Sequence, residues 1–103
     1  MVQNYEVVLD GQLGERFGTL RWTETNGEVR GTLSLFGFDN AVFGRRSGDL
    51  LELSHELRTA VSVFRCETQA EVRGDEITGV VTSRYSRIAF HGRKAEERTE
   101  KGS

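Results

Sequence analysis

The 103-residue chain has no proline, one cysteine, two histidines and one tryptophan. Each scarcity removes a class of explanation. A lone cysteine cannot close an intramolecular disulfide, so packing has to hold the fold. Two histidines and one cysteine give a zinc-type site too few soft ligands unless they converge, and the alternation described below sends His55 inward and His91 outward. No stretch approaches the roughly 18 consecutive apolar residues of a spanning helix. The opening MVQNYEVVLDG lacks the basic-then-apolar layout of a secretory leader. A cytoplasmic protein with no membrane contact is the expectation. The net charge of −2 and pI near 5.7 leave no basic excess, so no nucleic-acid partner is expected. Phosphate loops, nucleophile elbows and dinucleotide fingerprints each need a helix start, and the chain offers none. No cofactor is expected.

What is present is glycine, 12 residues of it, which with asparagine and aspartate must do the turning. Turn signals fall at Asp10-Gly11, Asn26-Gly27, Phe36-Gly37, Ser47-Gly48-Asp49, Thr59-Ala60, Gly74-Asp75 and Arg84-Tyr85, with period-2 apolar runs between them. Seven turns separate eight short strands. Residues facing each other across a hairpin share a side of the sheet, so two-residue turns predict partners. Trp22 then meets Gly31, Val42 meets His55, His55 meets Phe64, Val72 meets Ile77 and Gly79 meets Phe90. A single parity runs through all of these. It turns Tyr5, Val7, Leu9, Leu20, Trp22, Val29, Leu33, Leu35, Val42, Leu51, Leu53, Leu57, Phe64, Val72, Ile77, Val81, Ile88 and Phe90 inward, and Arg21, Thr23, Glu52, Glu56, Arg65, Glu67, Gln69 and Glu71 outward.

One phrase is written twice. NGEVRGTLSLFGFDNAVFGRR, from Asn26, is echoed by GDEITGVVTSRYSRIAFHGRK, from Gly74, at an offset of 76 − 28 = 48 residues. The matched glycines are Gly31 with Gly79 and Gly44 with Gly92. An all-β chain with one apolar and one polar face either stacks as two sheets or closes. Closure removes the edges and suits a doubled half. The predicted fold is an eight-stranded antiparallel up-and-down (meander) barrel over residues 1–94. Residues 95–103, AEERTEKGS, carry no apolar pattern and form a polar tail expected to be disordered.

At GTLRWTETNGEVRGTL, Gly18 to Leu33, the chain resembles the first hairpin of the avidin and streptavidin family. The resemblance implies a streptavidin-like barrel, of the calycin-like type, and barrels of that family often pair side by side. It does not imply the family's ligand: the tyrosine that holds biotin there falls on Leu33, the ligand-lining tryptophans have only Trp22 as a counterpart, and Thr19, in the place of the family's serine, has outward parity.

The chemistry-bearing residues on the inward face are Asn40, His55, Ser62, Cys66, Thr68 and Ser83, beside the aromatics Trp22 and Phe64. They are the candidate ligand-binding set if the interior is hollow, and small eight-stranded barrels are either filled or hold one small molecule. A His55–Cys66 base and nucleophile pair would make the protein a small enzyme; a core histidine bonded to Asn40 or to backbone explains the same residues without catalysis. Arg45, Arg46, Arg93 and Lys94 close the two copies of the echo at one rim, a candidate anion or partner site, or else solvated strand ends. Outward Phe43, Val61, Val63 and Val80 could seed a homodimer. The functional expectation is a non-catalytic module that takes a small apolar ligand in the barrel mouth or a protein partner on its wall.

Overall fold

The structure, a computed structural model, describes residues 2–11 and 14–95. Eight strands follow in order: β1 (Val2–Gly11), β2 (Gly14–Thr25), β3 (Glu28–Leu35), β4 (Phe38–Ser47), β5 (Leu50–Arg58), β6 (Val63–Arg73), β7 (Glu76–Ser83) and β8 (Arg87–Lys94). Each pairs antiparallel with the next, and β1 pairs with β8 from Tyr5↔Lys94 to Leu9↔Phe90, closing the barrel. Among the described residues there is no helix, hence none long and apolar enough to cross a membrane.

The alternation holds throughout. Of the eighteen expected inward residues, all but Phe64 and Ile88 are fully buried, and those two pack against the same core. Registers follow the turn chemistry. Asn26-Gly27 and Phe36-Gly37 have positive φ at both central residues, and Gly48 and Gly74 supply positive φ at the first position of their turns. The partners Trp22↔Gly31, Val42↔His55, Val72↔Ile77 and Gly79↔Phe90 are as expected.

Two turns fall elsewhere. β1 and β2 remain paired at Asp10↔Glu15 and Gly11↔Gly14, so Asp10-Gly11 is strand and not turn. Between β5 and β6 the partner of His55 is Cys66, not Phe64, and Leu57 meets Phe64. The reason is Thr59. Its hydroxyl accepts hydrogen bonds from the Val61 and Ser62 amides, which makes it the residue before the turn, so Ala60-Val61 forms the tip and every partner shifts by two. The shift preserves parity. The strands run from 8 to 12 residues, and five of the eight are 9 residues or longer. The expected tail, apart from Ala95, lies outside the described residues; the Ala95 amide donates to the Asn4 carbonyl.

The 48-residue offset extends to the whole architecture. Adding 48 to β3 (28–35) reproduces β7 (76–83), and adding it to β1, β2 and β4 lands on β5, β6 and β8 within one residue at each end. The repeated glycines show why the phrase recurs. A Cβ on Gly44 would meet the Glu52 carbonyl carbon and the Leu53 Cα at 2.8 Å, and one on Gly92 would meet Val7 Cγ1 at 2.8 Å. Gly31 and Gly79 are pressed as closely on Trp22 and Ala70. These are corners where one strand lies down on the next to close the cylinder. Opposite walls need equivalent corners.

Candidate functional site

The strand directions give the barrel two unlike ends. One end carries the β2–β3, β4–β5 and β6–β7 turns, the other the β1–β2, β3–β4, β5–β6 and β7–β8 turns.

The first end is plugged. Tyr5 and Trp22 stack with ring centroids 5.3 Å apart and planes 5° from parallel. Both are inward residues of strands that pair Tyr5 with Leu20, which places Trp22 one step along the same face. Trp22 is 1% exposed, so its indole N–H needs a buried partner, and it donates to Glu24 Oε2 at 2.9 Å. The same oxygen receives Arg46 Nη1 at 2.8 Å, while Arg46 Nε donates to the Gly48 carbonyl at 3.1 Å. The Tyr5 hydroxyl donates to the Gly74 carbonyl at 3.1 Å. Burial works to raise the Glu24 carboxyl, but the hydrogen bonds from Trp22 and Arg46, together with the charge of Arg46, outweigh it and hold the group below its ordinary range.

That arrangement revises the expected cation rim. Arg45, Arg46, Arg93 and Lys94 do share this end, but carboxylates interleave them. Arg46 is committed to Glu24, Arg93 lies 3.6 Å from Glu76, and Arg45 stands across the ladder from both Glu28 and Glu52. Lys94 is exposed and contributes its backbone amide to the Asp75 carbonyl.

The middle of the barrel is nearly filled. Side chains of Val7, Leu20, Leu33, Val42, Leu53 and Phe90, with His55 and Thr68, surround a residual space of about 10 Å³, at the lower limit for one water molecule. His55 and Thr68 are diagonal neighbours across β5 and β6 and satisfy each other. His55 Nδ1 lies 3.2 Å from the Glu56 carbonyl, which can only accept, so Nδ1 carries the proton and Nε2 accepts from Thr68 Oγ1 at 2.7 Å. Burial lowers the pKa of His55 against a small opposing effect of that carbonyl, which favours the neutral ring. In the first half of the chain the equivalent positions are Val7 and Leu20, since 7 + 48 = 55 and 20 + 48 = 68.

Among the described residues the second end is open. A recess of about 230 Å³ is lined by Leu57, Phe64, Cys66, Val81 and Ile88, with Phe36 and Tyr85 on the turns above and Thr59, Ser83 and Ser86 at the edge. Phe64 and Tyr85 meet edge to face at 6.5 Å. Phe36 is held at φ 58°, a left-handed conformation that costs an aromatic residue energy. The hydroxyls are engaged locally: Thr59 Oγ1 caps its own turn, and Ser83 Oγ accepts from the Tyr85 and Ser86 amides. The walls are therefore apolar and the edge groups already partnered. A shallower groove of about 590 Å³ crosses the outer wall between Phe38, Phe43, Arg58 and Arg65, floored by Ala41 and Ser54 and open to solvent.

Of the eight candidate ligand-binding residues, the recess gathers Phe64, Cys66 and Ser83. Trp22 belongs to the plug at the far end. His55 and Thr68 sit below the floor. Asn40 braces strands: its Nδ2 donates to the Leu33 carbonyl at 3.0 Å and its Oδ1 accepts from the Arg58 amide at 3.0 Å. Ser62 is part of the Thr59 turn. His55 and Cys66 are directly opposite in register, yet Cys66 Sγ points its weak hydrogen bond at the Phe64 carbonyl, 3.8 Å away, and burial raises the thiol pKa. Among the described residues no three His, Cys, Asp or Glu side chains converge as metal ligands.

Alternation alone could not have found Phe36, Tyr85 and Ser86, because they lie on turns. Glu24 was findable: it shares the inward parity of Trp22, as Arg46 shares that of Val42 and Gly44. Comparison of the chain with models of known protein families, with curated proteins and with solved structures finds no match in any of the three.

Proposed function

We propose that this protein is a non-catalytic binding module that takes a small apolar ligand in the open end of its barrel. One observation carries the reading: an apolar recess of about 230 Å³ at one end, against a plug of stacked aromatics at the other. An apolar cavity of roughly 150 Å³ accepts benzene, so the recess suits a substituted ring or a short alkyl chain. The near-filled middle limits the ligand to the mouth. A solvatochromic naphthalene dye tests this. Binding at micromolar concentration with a blue shift, abolished by Phe64→Asp at the recess wall, supports the reading; a dye that ignores the native protein refutes it.

A catalytic His55–Cys66 pair is less well supported. Such a nucleophile needs a lowered thiol pKa and a hydrogen bond to its base, whereas the thiol here is pushed up and bonded to backbone. The likeness of Gly18–Leu33 to avidin's first hairpin adds an architectural proposal, a streptavidin-like barrel, without a biotin site: Leu33 is buried in the core and Thr19 faces outward.

A second reading, pairing with another copy through the wall, rests on Phe17. It is 72% exposed and stands across from Val8, which in turn adjoins His91 of β8. A dimer in light scattering that Phe17→Ser dissociates supports this reading, and a monomer at millimolar concentration ends it.

A further inference from the structure

We infer that the ligand of the open end is a neutral aromatic ring, chosen over an aliphatic body of similar size, and that Phe36 is the residue that selects it; this rests on the mouth being a ligand site. Three aromatic residues from three stretches of chain line the one recess: Phe36 on the β3–β4 turn, Phe64 on β6 and Tyr85 on the β7–β8 turn. The first and last of these turns lie four strands apart in the ring of eight, on opposite walls, with Phe64 on the wall between them. Phe64 and Tyr85 set their planes 77° apart, as adjoining sides of a box are set. No charged residue lines the recess, and the Thr59 and Ser83 hydroxyls serve their own turns.

The 48-residue repeat does not ask for these rings. At the matching positions of the other half stand Arg84, Arg16 and Gly37, since 36 + 48 = 84, 64 − 48 = 16 and 85 − 48 = 37. The hollow is a departure of the same kind: Leu35 is buried in the core at the position that Ser83 takes in the second half, where 35 + 48 = 83. Phe36 is the costliest of the three. Asn26 adopts the same left-handed conformation at φ 53°, which asparagine tolerates, whereas Phe36 is held at φ 58° with 41% of its surface exposed. Packing within the chain therefore leaves a strained aromatic partly in water at the edge of an apolar hollow, and a ligand filling that hollow supplies the missing contact. Aromatic walls discriminate among apolar bodies, because edge and face contacts favour a second ring beyond the area it buries. The same walls attract an ammonium group. Seating a cation there costs its hydration, and no carboxylate lines the recess to offset that loss, so a neutral ring is the better complement.

The test compares 4-phenylbutan-1-ol with 4-cyclohexylbutan-1-ol, titrated against the full chain and followed by amide shifts of Phe64, Cys66 and Ile88. Transfer from water favours the saturated ring, the larger and more apolar of the two. The expected result reverses that order, with the phenyl probe binding about three- to ten-fold more tightly. The preference disappears in Phe36→Leu, which keeps an apolar side chain on the same strained turn, and persists in Phe43→Leu on the outer wall. Equal or tighter binding of the cyclohexyl probe by the native chain overturns the inference and leaves the mouth reading standing. A preference unchanged in Phe36→Leu overturns the role of Phe36, and choline binding more tightly than its neutral isostere 3,3-dimethylbutan-1-ol overturns the neutrality of the ligand. Failure of both ring probes to shift those amides overturns the inference and the mouth reading together. Should Phe36→Leu fail to fold, Phe36→Asn, suited to the left-handed turn, gives the same readout.

Discussion

Removing the Glu24 carboxylate tests the plug. In Glu24→Ala the indole N–H of Trp22, a residue only 1% exposed, loses its acceptor, and Arg46 loses its counter-ion. A hydrogen bond to a charged group contributes about 1.5–3 kcal/mol when its loss strands a buried partner. The Arg46 ion pair is partly open to water, with side chains 23% and 29% exposed, and adds at most about 0.5 kcal/mol. The sum is about 2–3 kcal/mol, which for a domain of this size lowers Tm by about 10–20 °C. Glu24→Gln keeps an oxygen for the indole and costs about 1 kcal/mol. Trp22 is the only tryptophan, so urea unfolding followed by its fluorescence reports both stability and local solvation in one experiment. The native emission should be blue-shifted and should move red in Glu24→Ala before global unfolding. The sign with pH is also set. A carboxyl held below its ordinary pKa stabilises the fold above the unfolded value and loses that contribution as pH falls through the folded one, so Glu24→Ala flattens the acid limb of the stability curve below about pH 4.5. A loss under about 0.5 kcal/mol, with unchanged emission, would refute the plug.

Further predictions concern the middle, the mouth and the corners. Neutral, buried His55 has a lowered pKa, so the unfolded chain takes up its proton first and stability falls as pH drops below about 6.5, by at most about 1.4 kcal/mol per pH unit; His55→Val with Thr68→Val, after the apolar pair in the other half, should abolish that slope in urea titrations at pH 5 and 7. Cys66 should alkylate slowly at pH 7.5 until urea is added, and rapid labelling of the native chain would revive the catalytic reading. Phe36→Asn should raise stability by about 1 kcal/mol by relieving the left-handed backbone while weakening dye binding, whereas a loss of stability would show that the ring earns its position by packing. Gly44→Ala should cost about 3 kcal/mol or more, because its Cβ meets β5 backbone that cannot retreat without opening the barrel; a cost under about 1 kcal/mol in chemical unfolding would refute the corner role.

Much of the fold was legible because parity is a robust signal. A one-residue slip would have exposed Trp22 and Leu53, so their neighbours had to agree. Registers were readable where glycine or asparagine marks a turn by its φ, as at Asn26-Gly27 and Gly74-Asp75. The β5–β6 register was not, because the turn there contains neither residue and is organised by a threonine hydroxyl whose direction no propensity reveals. The site was harder. The inward set is common to the plug, the filled middle and the mouth, and only side-chain size at each level separates them. Tyr5 and Trp22 fill one end, while Ser83 stands at the other, leaving the hollow. The echo was visible as words, but its purpose emerged from what a Cβ would strike at Gly31, Gly44, Gly79 and Gly92.

The claim beneath all of this is that the barrel has one closed and one receptive end. Intermolecular nuclear Overhauser effects from the ring of bound 4-phenylbutan-1-ol test it most directly. The account predicts cross-peaks to Phe36, Phe64 and Ile88 and none to Tyr5 or Trp22. Cross-peaks to Trp22, or to Phe43 on the outer wall in place of the mouth, would contradict it.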